Sequence, residues 1–261
     1  MLMQRVITAV IALAVFGAAL FFLPQGAWAV LLLVVLALGS HEWTVLARMA
    51  GAARIAYIGL ILVSAGALYF LPQFDVYVFA LSVAFWVLVA PFWLVQRWTL
   101  RNLLVLAAAG WIAMVPMWVA LVRLQPTPWA LLLVMSVVWI ADTAAYAAGK
   151  SFGRNKLAPL ISPGKTWEGA LGAAIAVAVY FVAVQMLAEP SSRYFSMGVG
   201  LGLFLLIFVL SVEGDLFESW LKRQAGVKDS GQLLPGHGGI LDRIDGLTAT
   251  MPLAALAFHL R

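Results

Sequence analysis

The segment WALLLVMSVVWIADTAAYAA, residues 129–148, indicates what kind of fold this chain forms. It holds twenty residues and a single charge, Asp142. A helix needs about 20 predominantly apolar residues to cross the hydrocarbon core of a bilayer. The apolar residues form a continuous run rather than alternating with polar ones, which indicates a helix and not a strand of a membrane barrel. The segment therefore predicts a transmembrane helix with one carboxylate inside it.

The rest of the chain has a similar composition. Of its 261 residues, 64% are hydrophobic and 10% are charged, whereas a soluble domain carries about 25% charged residues. Nine segments are candidate spans, of which the eighth and ninth are marginal in length. They are roughly Val6–Leu23, Ala27–Ala47, Ile55–Leu71, Val76–Val95, Leu103–Val122, Trp129–Ala148, Gly169–Leu187, Ser196–Val212 and Ile244–Leu260. The predicted fold class is all-α, a polytopic membrane protein with about nine transmembrane helices.

The first candidate span also fits a secretory signal peptide, because Arg5 precedes its apolar run. We interpret it as a span, since the run of about 18 residues exceeds a typical signal-peptide core and FFLPQG offers no small-x-small cleavage site. The chain has no cysteine. A disulfide framework and thiolate chemistry are therefore excluded.

The distribution of Lys and Arg predicts the orientation, because cytoplasmic loops carry an excess of these residues. With a cytoplasmic N-terminus and nine alternating spans, 13 of the 16 lie inside, and only Arg123, Arg193 and Arg261 lie outside. This separation favours an odd number of spans. The two longest polar segments, 149–168 and 213–243, are then cytoplasmic loops. We predict one integral domain, with N-terminal helices in residues 1–123 and a catalytic region in residues 124–261.

The carboxylate of Asp142 lies about 9 Å inside its predicted span, counted from Ala148 at 1.5 Å per residue. An unpaired carboxylate there costs about 2.5–3.5 kcal/mol or more, so Asp142 is expected to face a cavity, a cation or a partner group. Two interpretations stay open, an active-site carboxylate and a structural one hydrogen-bonded between helices. Glu42, beside His41, raises the same question more weakly because it lies near the end of its span.

A second group of carboxylates follows the eighth span. Asp215, Ser219 and Lys222 share one face if the helix continues, because they are spaced i, i+4 and i+7. Asp242 and Asp245 are spaced i, i+3 at the mouth of the last span. The two sets can share a divalent cation, and Mg²⁺ prefers one or two carboxylates plus substrate phosphates and water. The alternative is a run of solvated loop charges, but the glycines of PGHGG, residues 235–239, favour close approach of the backbone to another group.

The segment SPGKTWEG, residues 162–169, is the other polar cluster. Its GKT suggests a phosphate-binding P-loop, but that motif needs a glycine at position 159, where the chain has proline, and a preceding strand. Thr166 and Glu168 are too close for a capping box. The segment therefore predicts a flexible turn and a helix start, whose positive N-terminal dipole and Lys165 favour an anion.

Several segments resemble one known family. SWLKR, KDSG and LPGHGGILDRID, at fixed spacing over residues 219–245, resemble the signature of the phosphatidate cytidylyltransferases, the CDP-diacylglycerol synthases of bacteria. ADTAAYAAGKSFGRNKLAP (141–159), SPGKTWEG and EGDLFES (213–219) are also similar to the family. The close resemblance covers Asp142 to Asp245, whereas the first 120 or so residues are similar only in being hydrophobic spans.

The resemblance implies transfer of the cytidylyl group of CTP to phosphatidic acid, giving CDP-diacylglycerol and pyrophosphate for phospholipid biosynthesis. It implies Mg²⁺ held by Asp215 and Asp242, with a monovalent cation such as K⁺ beside it. The predicted catalytic residues are Asp215, Asp242, Lys165 and Asp142. The predicted substrate-binding residues are Ser162, Lys165, Thr166, Glu168, Ser219, Lys222, Arg223, Lys228, Asp229, His237, Gly238, Gly239, Arg243 and Asp245. We expect His237 to contact the ligand or organise the loop, because a phosphate nucleophile is already an anion and needs no strong base.

The predicted partners are CTP, phosphatidic acid and the lipid bilayer, without nucleic acid, and a homodimer stays open. The predicted location is the bacterial inner membrane, with the site facing the cytoplasm. A CTP-dependent polyprenol or phytol kinase is the nearest alternative. A transporter would also place Asp142 in the membrane, but we find no interrupted helix pair or inverted repeat. A purely structural scaffold gives no reason for the cluster of charges between Glu213 and Asp245.

Overall fold

The fold is a bundle of helices with one two-stranded hairpin. The computed structural model describes residues 13–99, 101–187, 194–231 and 238–260. The helices are α1 Leu13–Phe22, α2 Gln25–Leu46, α3 Gly51–Tyr69, α4 Asp75–Ala84, α5 Ala90–Gln96, α6 Leu103–Leu124, α7 Pro128–Phe152, α8 Trp167–Leu187, α9 Met197–Ala225 and α10 Leu241–His259. The antiparallel strands β1 Lys156–Ala158 and β2 Ser162–Thr166 lie between α7 and α8.

Seven helical segments among the described residues are long and apolar enough to cross a membrane. They are α2, α3, the segment Pro72–Gln96 that contains α4 and α5, α6, α7, α8 and α9, and they correspond to the second through eighth predicted spans. The described part of α1 is shorter, and the remainder of the first predicted span lies outside the described residues. Helix α10 overlaps the ninth predicted span but carries charges in its first turn. The prediction of a helical membrane protein is confirmed, and the count of nine spans stays a prediction.

The fourth predicted span is not one regular helix. A π-helical turn, Phe85–Val89, separates α4 from α5. Pro91 explains this change, because a proline ring collides with the carbonyl four residues earlier in a regular α-helix and a wider turn relieves the collision. Phe85 and Trp86 of the π turn pack edge-to-face against Phe217 of α9, with ring centroids 5.7 and 5.4 Å apart. The irregular turn is therefore held against the helix that carries Asp215.

The structure corrects the two predicted loops. Helix α7 continues to Phe152 and is followed by the β1–β2 hairpin, so the fold is not purely α and the turn before α8 is ordered. The strands have three and five residues, too few for a recognisable alternating pattern. Helix α9 runs for 29 residues, through Glu213 to Ala225, and ends where Gly226 adopts a left-handed conformation with φ 77°. No proline interrupts α9, so its polar end extends the apolar span as one helix.

Hydrogen bonds between distant segments define two ends of the bundle. At the end that we call the site end, three contacts join the α2, α5 and hairpin regions to the C-terminal part of α9. They are Arg48 Nη2 to Gln224 O (3.3 Å), Trp220 Nε1 to Trp98 O (3.1 Å) and Arg223 Nε to Ile161 O (3.3 Å). At the opposite end, the contacts include Trp28 Nε1 to Leu121 O (3.1 Å), Gln125 Nε2 to Leu23 O (2.9 Å) and the ion pair of Arg123 with Asp75 (2.7 Å). Segments that the charge pattern assigns to the same side of a membrane thus contact each other at the same end of the helix bundle.

Helices α9 and α10 approach each other closely at two glycines. A Cβ atom on Gly214 would lie 3.1 Å from the backbone carbonyl carbon of Asp245, and one on Gly246 would lie 3.5 Å from Ser211 Cβ. Small residues at a helix contact let the two backbones come together. This contact places the Asp215–Lys222 face of α9 beside the first turns of α10.

Candidate functional site

The first part of the candidate site joins β2 to α9. Lys165 forms an ion pair with Asp215, with Nζ and Oδ2 2.7 Å apart, and also lies 3.5 Å from the carbonyl oxygen of Val212. Ser219 donates a hydrogen bond of 3.2 Å to the other carboxylate oxygen of Asp215. The predicted i, i+4 relation is therefore present, because α9 continues through both residues. The side chains of Lys165 and Asp215 are 22% and 36% exposed, which leaves the pair accessible to a ligand.

The second part joins α9 to α10. Lys222 donates to Glu218 Oε2 at 2.7 Å and to Asp242 Oδ1. All three side chains are well covered, with 12% of Lys222, 6% of Glu218 and 10% of Asp242 exposed. Each Lys ammonium has three N–H groups and uses two in the contacts described. Lys165 and Lys222 can therefore each donate one further hydrogen bond to an anion.

The other carboxylate oxygen of Asp242 is held by the segment before α10. Its Oδ2 accepts from Ser230 N and Ser230 Oγ, both at 3.0 Å, and from Gly239 N at 2.8 Å. Gly238 has φ 81°, a conformation that favours glycine, and a Cβ there would lie 2.8 Å from Asp242 Oδ2. Partial burial favours the neutral acid, but the hydrogen bonds from Lys222, Gly239 and Ser230 stabilise the carboxylate, so the pKa of Asp242 lies below its usual value.

Asp245 and Asp142 bring further negative charge to the site. The carboxylates of Asp215, Glu218 and Asp142 lie close enough to Asp245 to interact with it electrostatically. Asp142 is exposed on α7, and the charges that act on it are those of Lys165 and Asp215. The structure gives Asp142 no hydrogen bond to another described residue. Asp142 thus lies near the Lys165–Asp215 pair, and its role in the reaction stays a prediction.

The arrangement fits a divalent cation bound with a substrate. Within the described ranges, no three acidic or histidine side chains form a ready-made metal cage. Mg²⁺ commonly takes one or two carboxylates and completes its shell with phosphates and water. Five carboxylates lie in this cluster, and Lys165 and Lys222 form ion pairs with three of them. The five are Asp142, Asp215, Glu218, Asp242 and Asp245. These carboxylates could hold a cation at Asp215 and Asp242, and the Mg²⁺ there stays a prediction.

The hairpin residues take different positions. Thr166 is 5% exposed, and its Oγ1 accepts from Gly169 N at 3.1 Å, so its hydroxyl caps the start of α8. Glu168 accepts from Asn155 N at 3.1 Å and from Asn155 Nδ2 at 2.8 Å, which closes the base of the hairpin. Ser162 is partly buried in β2. The predicted helix start is confirmed, while the substrate contacts of these three residues stay predictions.

The remaining predicted residues lie around the segment between α9 and α10. Lys228, Asp229 and Arg243 are exposed, as is Arg223, whose side chain reaches the hairpin. Gly239 contacts Asp242 through its backbone N–H. His237 lies outside the described residues, so its predicted ligand contact stays a prediction.

The sequence does not predict three of the side chains that take part in the site. Glu218 belongs to the quoted EGDLFES segment, and Ser230 to KDSG. The sequence marks Glu42 only by its position near the end of a span, yet its carboxylate reaches Ser230 and the start of α10. Spacing alone reveals Glu218, because it lies one turn before Lys222. No local pattern connects Glu42 with residues near 240.

The fold and the site define an integral membrane protein with a cluster of carboxylates and lysines at one end of its helix bundle. The sequence matches the cytidylyltransferase family over residues 3–261, and the chain belongs to this family. It is 40% identical to the phosphatidate cytidylyltransferase of Pseudomonas aeruginosa over 98% of this chain and 96% of that protein. It is 32% identical to that of Haemophilus influenzae over 97% and 96% of the two chains. With the protein of the same name from Brucella suis, it shares 52% identity over 46% of this chain and 43% of the relative.

Proposed function

We infer that this chain transfers the cytidylyl group of CTP to phosphatidic acid, giving CDP-diacylglycerol and pyrophosphate. The observation that carries this inference is the pair of adjacent ion pairs, Lys165–Asp215 and Lys222–Asp242, on the contacting helices α9 and α10. Two anionic reactants need their repulsion screened before they can react. The family and its relatives named phosphatidate cytidylyltransferase support the same reaction.

The reaction requires little acid–base chemistry from the protein. A phosphate oxygen of phosphatidic acid attacks the α-phosphorus of CTP, and the bond from that phosphorus to the bridging oxygen of pyrophosphate breaks. The lipid phosphate is a phosphate monoester and is already an anion near neutral pH, as phosphorylated side chains are. The N–H groups that Lys165 and Lys222 still have available can bind the phosphate oxygens and stabilise the charge on the leaving pyrophosphate.

The residues that would hold Mg²⁺ are Asp215 and Asp242, with Asp142 and Asp245 adding negative charge beside them. The metal would supply charge neutralisation for the phosphates of both substrates. Ser219 and the backbone N–H groups of Ser230 and Gly239 fix the two carboxylates in place. A monovalent cation beside the Mg²⁺ remains part of the proposal.

An apolar cavity beside the charged cluster supports a lipid substrate. Its volume is about 530 Å³, and its walls come from α5, the hairpin and α9. Val212 lines this cavity, and its carbonyl oxygen also accepts from Lys165. Acyl chains in the cavity would thus bring a lipid phosphate towards Lys165 and Asp215.

The site is proposed to face the cytoplasm of a bacterial inner membrane. The 13-to-3 distribution of Lys and Arg supports this orientation. The contacts at the site end support it as well, because they join segments that the charge pattern assigns to the inner side. CTP would reach the site from the cytoplasm, and phosphatidic acid would reach it from the inner leaflet.

Cysteine labelling tests the orientation. Ser151 at the site end and Gln73 at the opposite end are both exposed, and the chain has no cysteine of its own. In intact spheroplasts, we expect a membrane-impermeant maleimide to label the Gln73→Cys variant at once. The Ser151→Cys variant should react only after permeabilisation, and the cysteine-free parent serves as the control. The opposite pattern would contradict the proposed orientation.

The reaction itself is tested with purified protein, phosphatidic acid, Mg²⁺ and CTP labelled at either the α- or the γ-phosphorus. We expect the α label in a CDP-lipid and the γ label in pyrophosphate, with equal amounts of the two products. A γ label in the lipid, together with free CDP, would instead identify a CTP-dependent lipid kinase. Absence of both products would overturn the proposed function.

A further inference from the structure

The carboxylate of a residue on α2 accepts hydrogen bonds from three groups that surround Asp242. Glu42, on α2, is 2% exposed. Its Oε1 accepts from Ile240 N at 3.0 Å, and its Oε2 accepts from Leu241 N at 2.8 Å and from Ser230 Oγ at 2.9 Å. The same side chain therefore binds both ends of the stretch from Ser230 to Leu241.

The Ser230 hydroxyl connects Glu42 to Asp242. Its Oγ lies 2.9 Å from Glu42 Oε2 and 3.0 Å from Asp242 Oδ2. A hydroxyl has one proton, so the two carboxylates share a single donor. Asp242 Oδ2 is also held by two backbone N–H groups, and this leaves its Oδ1 directed to Lys222. The orientation of the Asp242 carboxylate thus depends on a chain of contacts that begins at Glu42.

Two glycines beside the Glu42 carboxylate, Gly231 and Gly239, are needed for this arrangement. A Cβ atom on Gly231 would overlap the Glu42 carboxylate, and one on Gly239 would overlap both that carboxylate and Ser230 Oγ. For Gly239 of PGHGG, the close approach that the sequence predicts is therefore to the side chain of Glu42, while residues 235–237 lie outside the described residues.

We propose that Glu42 is a positioning residue for the reaction, acting on Asp242 through Ser230 and the first turn of α10 without touching substrate. This inference rests on the proposed function. A buried carboxylate needs hydrogen bonds to offset its desolvation, and the N-terminus of α10 supplies both N–H donors and a favourable dipole. In return, the carboxylate fixes the backbone that presents Asp242.

Glu42→Gln tests the proposal with nearly the same side-chain volume. The amide keeps one acceptor oxygen and directs an NH₂ group at donors that need an acceptor. Loss of an outer partner of a metal ligand typically costs about tenfold to a hundredfold in activity or metal affinity. We expect kcat to fall by about that factor and the Mg²⁺ concentration for half-maximal rate to rise, while the KM for phosphatidic acid stays within about twofold.

Thr44→Val is the matched control. Thr44 is equally buried on the same helix, and among the described residues its hydroxyl bonds to His41 O in its own helix. Hydrogen exchange measured by mass spectrometry gives a readout independent of activity. We expect the amides of residues 239–242 to exchange faster in the Glu42→Gln variant and to be unchanged in the Thr44→Val variant.

A double-mutant cycle with Ser230→Ala separates positioning from general stability. If Glu42 acts through Ser230, the two substitutions together should lower kcat by clearly less than the product of their separate effects. Full multiplicativity, or unchanged exchange at residues 239–242, would overturn the proposal. Because the exchange experiment needs no substrate, this result is distinguishable from a failure of the proposed reaction.

Discussion

Replacing Asp215 or Asp242 by asparagine should lower kcat by at least about a hundredfold, which corresponds to roughly 2.7 kcal/mol of transition-state stabilisation. Each substitution keeps the shape of the side chain and removes a charge that faces a lysine, at 2.7 Å for Lys165 and Asp215. The loss should weaken the binding of a cation and the screening of the phosphates together. Initial rates of CDP-lipid formation, measured over a range of Mg²⁺ concentrations, provide the test.

Asp75→Asn is the matched control for this prediction. Asp75 forms an ion pair with Arg123 at the opposite end, also with an N–O distance of 2.7 Å, and is 5% exposed. Its loss should lower the melting temperature in detergent and leave kcat per folded molecule unchanged. If the Asp215 or Asp242 variant kept more than about a tenth of the parent activity, that residue would not be an essential ligand.

The sequence predicts the helices and one face of the site well, because both depend on local spacing. Continuous apolar runs require helices in a bilayer, and the second through eighth runs correspond to long helices of the structure. Asp215 and Ser219 meet because α9 continues past its apolar part. The pattern also placed Lys222 on this face, and the structure adds Asp242 as its partner across the α9–α10 contact.

Features that depend on distant pairing were not predictable. Glu42 and Ser230 are separated by 188 positions, and their hydrogen bond follows from the packing of α2 against α10. Thr166 occupies space beside Gly149 of α7 and Gly153, which follows the end of α7, and its hydroxyl caps α8. The sequence predicts the helix start at this segment but not the cap, because no local pattern shows that these glycines face Thr166. The substrate contact of Thr166 stays a prediction.

Lys222→Met should produce the second large effect, a loss of both stability and activity. The substitution keeps an apolar stem and removes the ammonium that Glu218 and Asp242 share. Removing one partner of a buried charge pair typically costs about 3–5 kcal/mol, because the remaining charge is left uncompensated. We expect a lower melting temperature in detergent, together with a fall in kcat of at least about a hundredfold if Lys222 also binds a phosphate.

The double variant Lys222→Met with Glu218→Gln separates these two contributions. Neutralising Glu218 removes one of the two carboxylates that lose their cation, so most of the melting temperature should return. Activity should stay low, because the phosphate has still lost its N–H donor and the positive charge. Lys222→Arg, which keeps the charge, should retain more activity than either variant. Recovery of activity together with stability in the double variant would show that Lys222 only neutralises its two carboxylates and does not bind substrate.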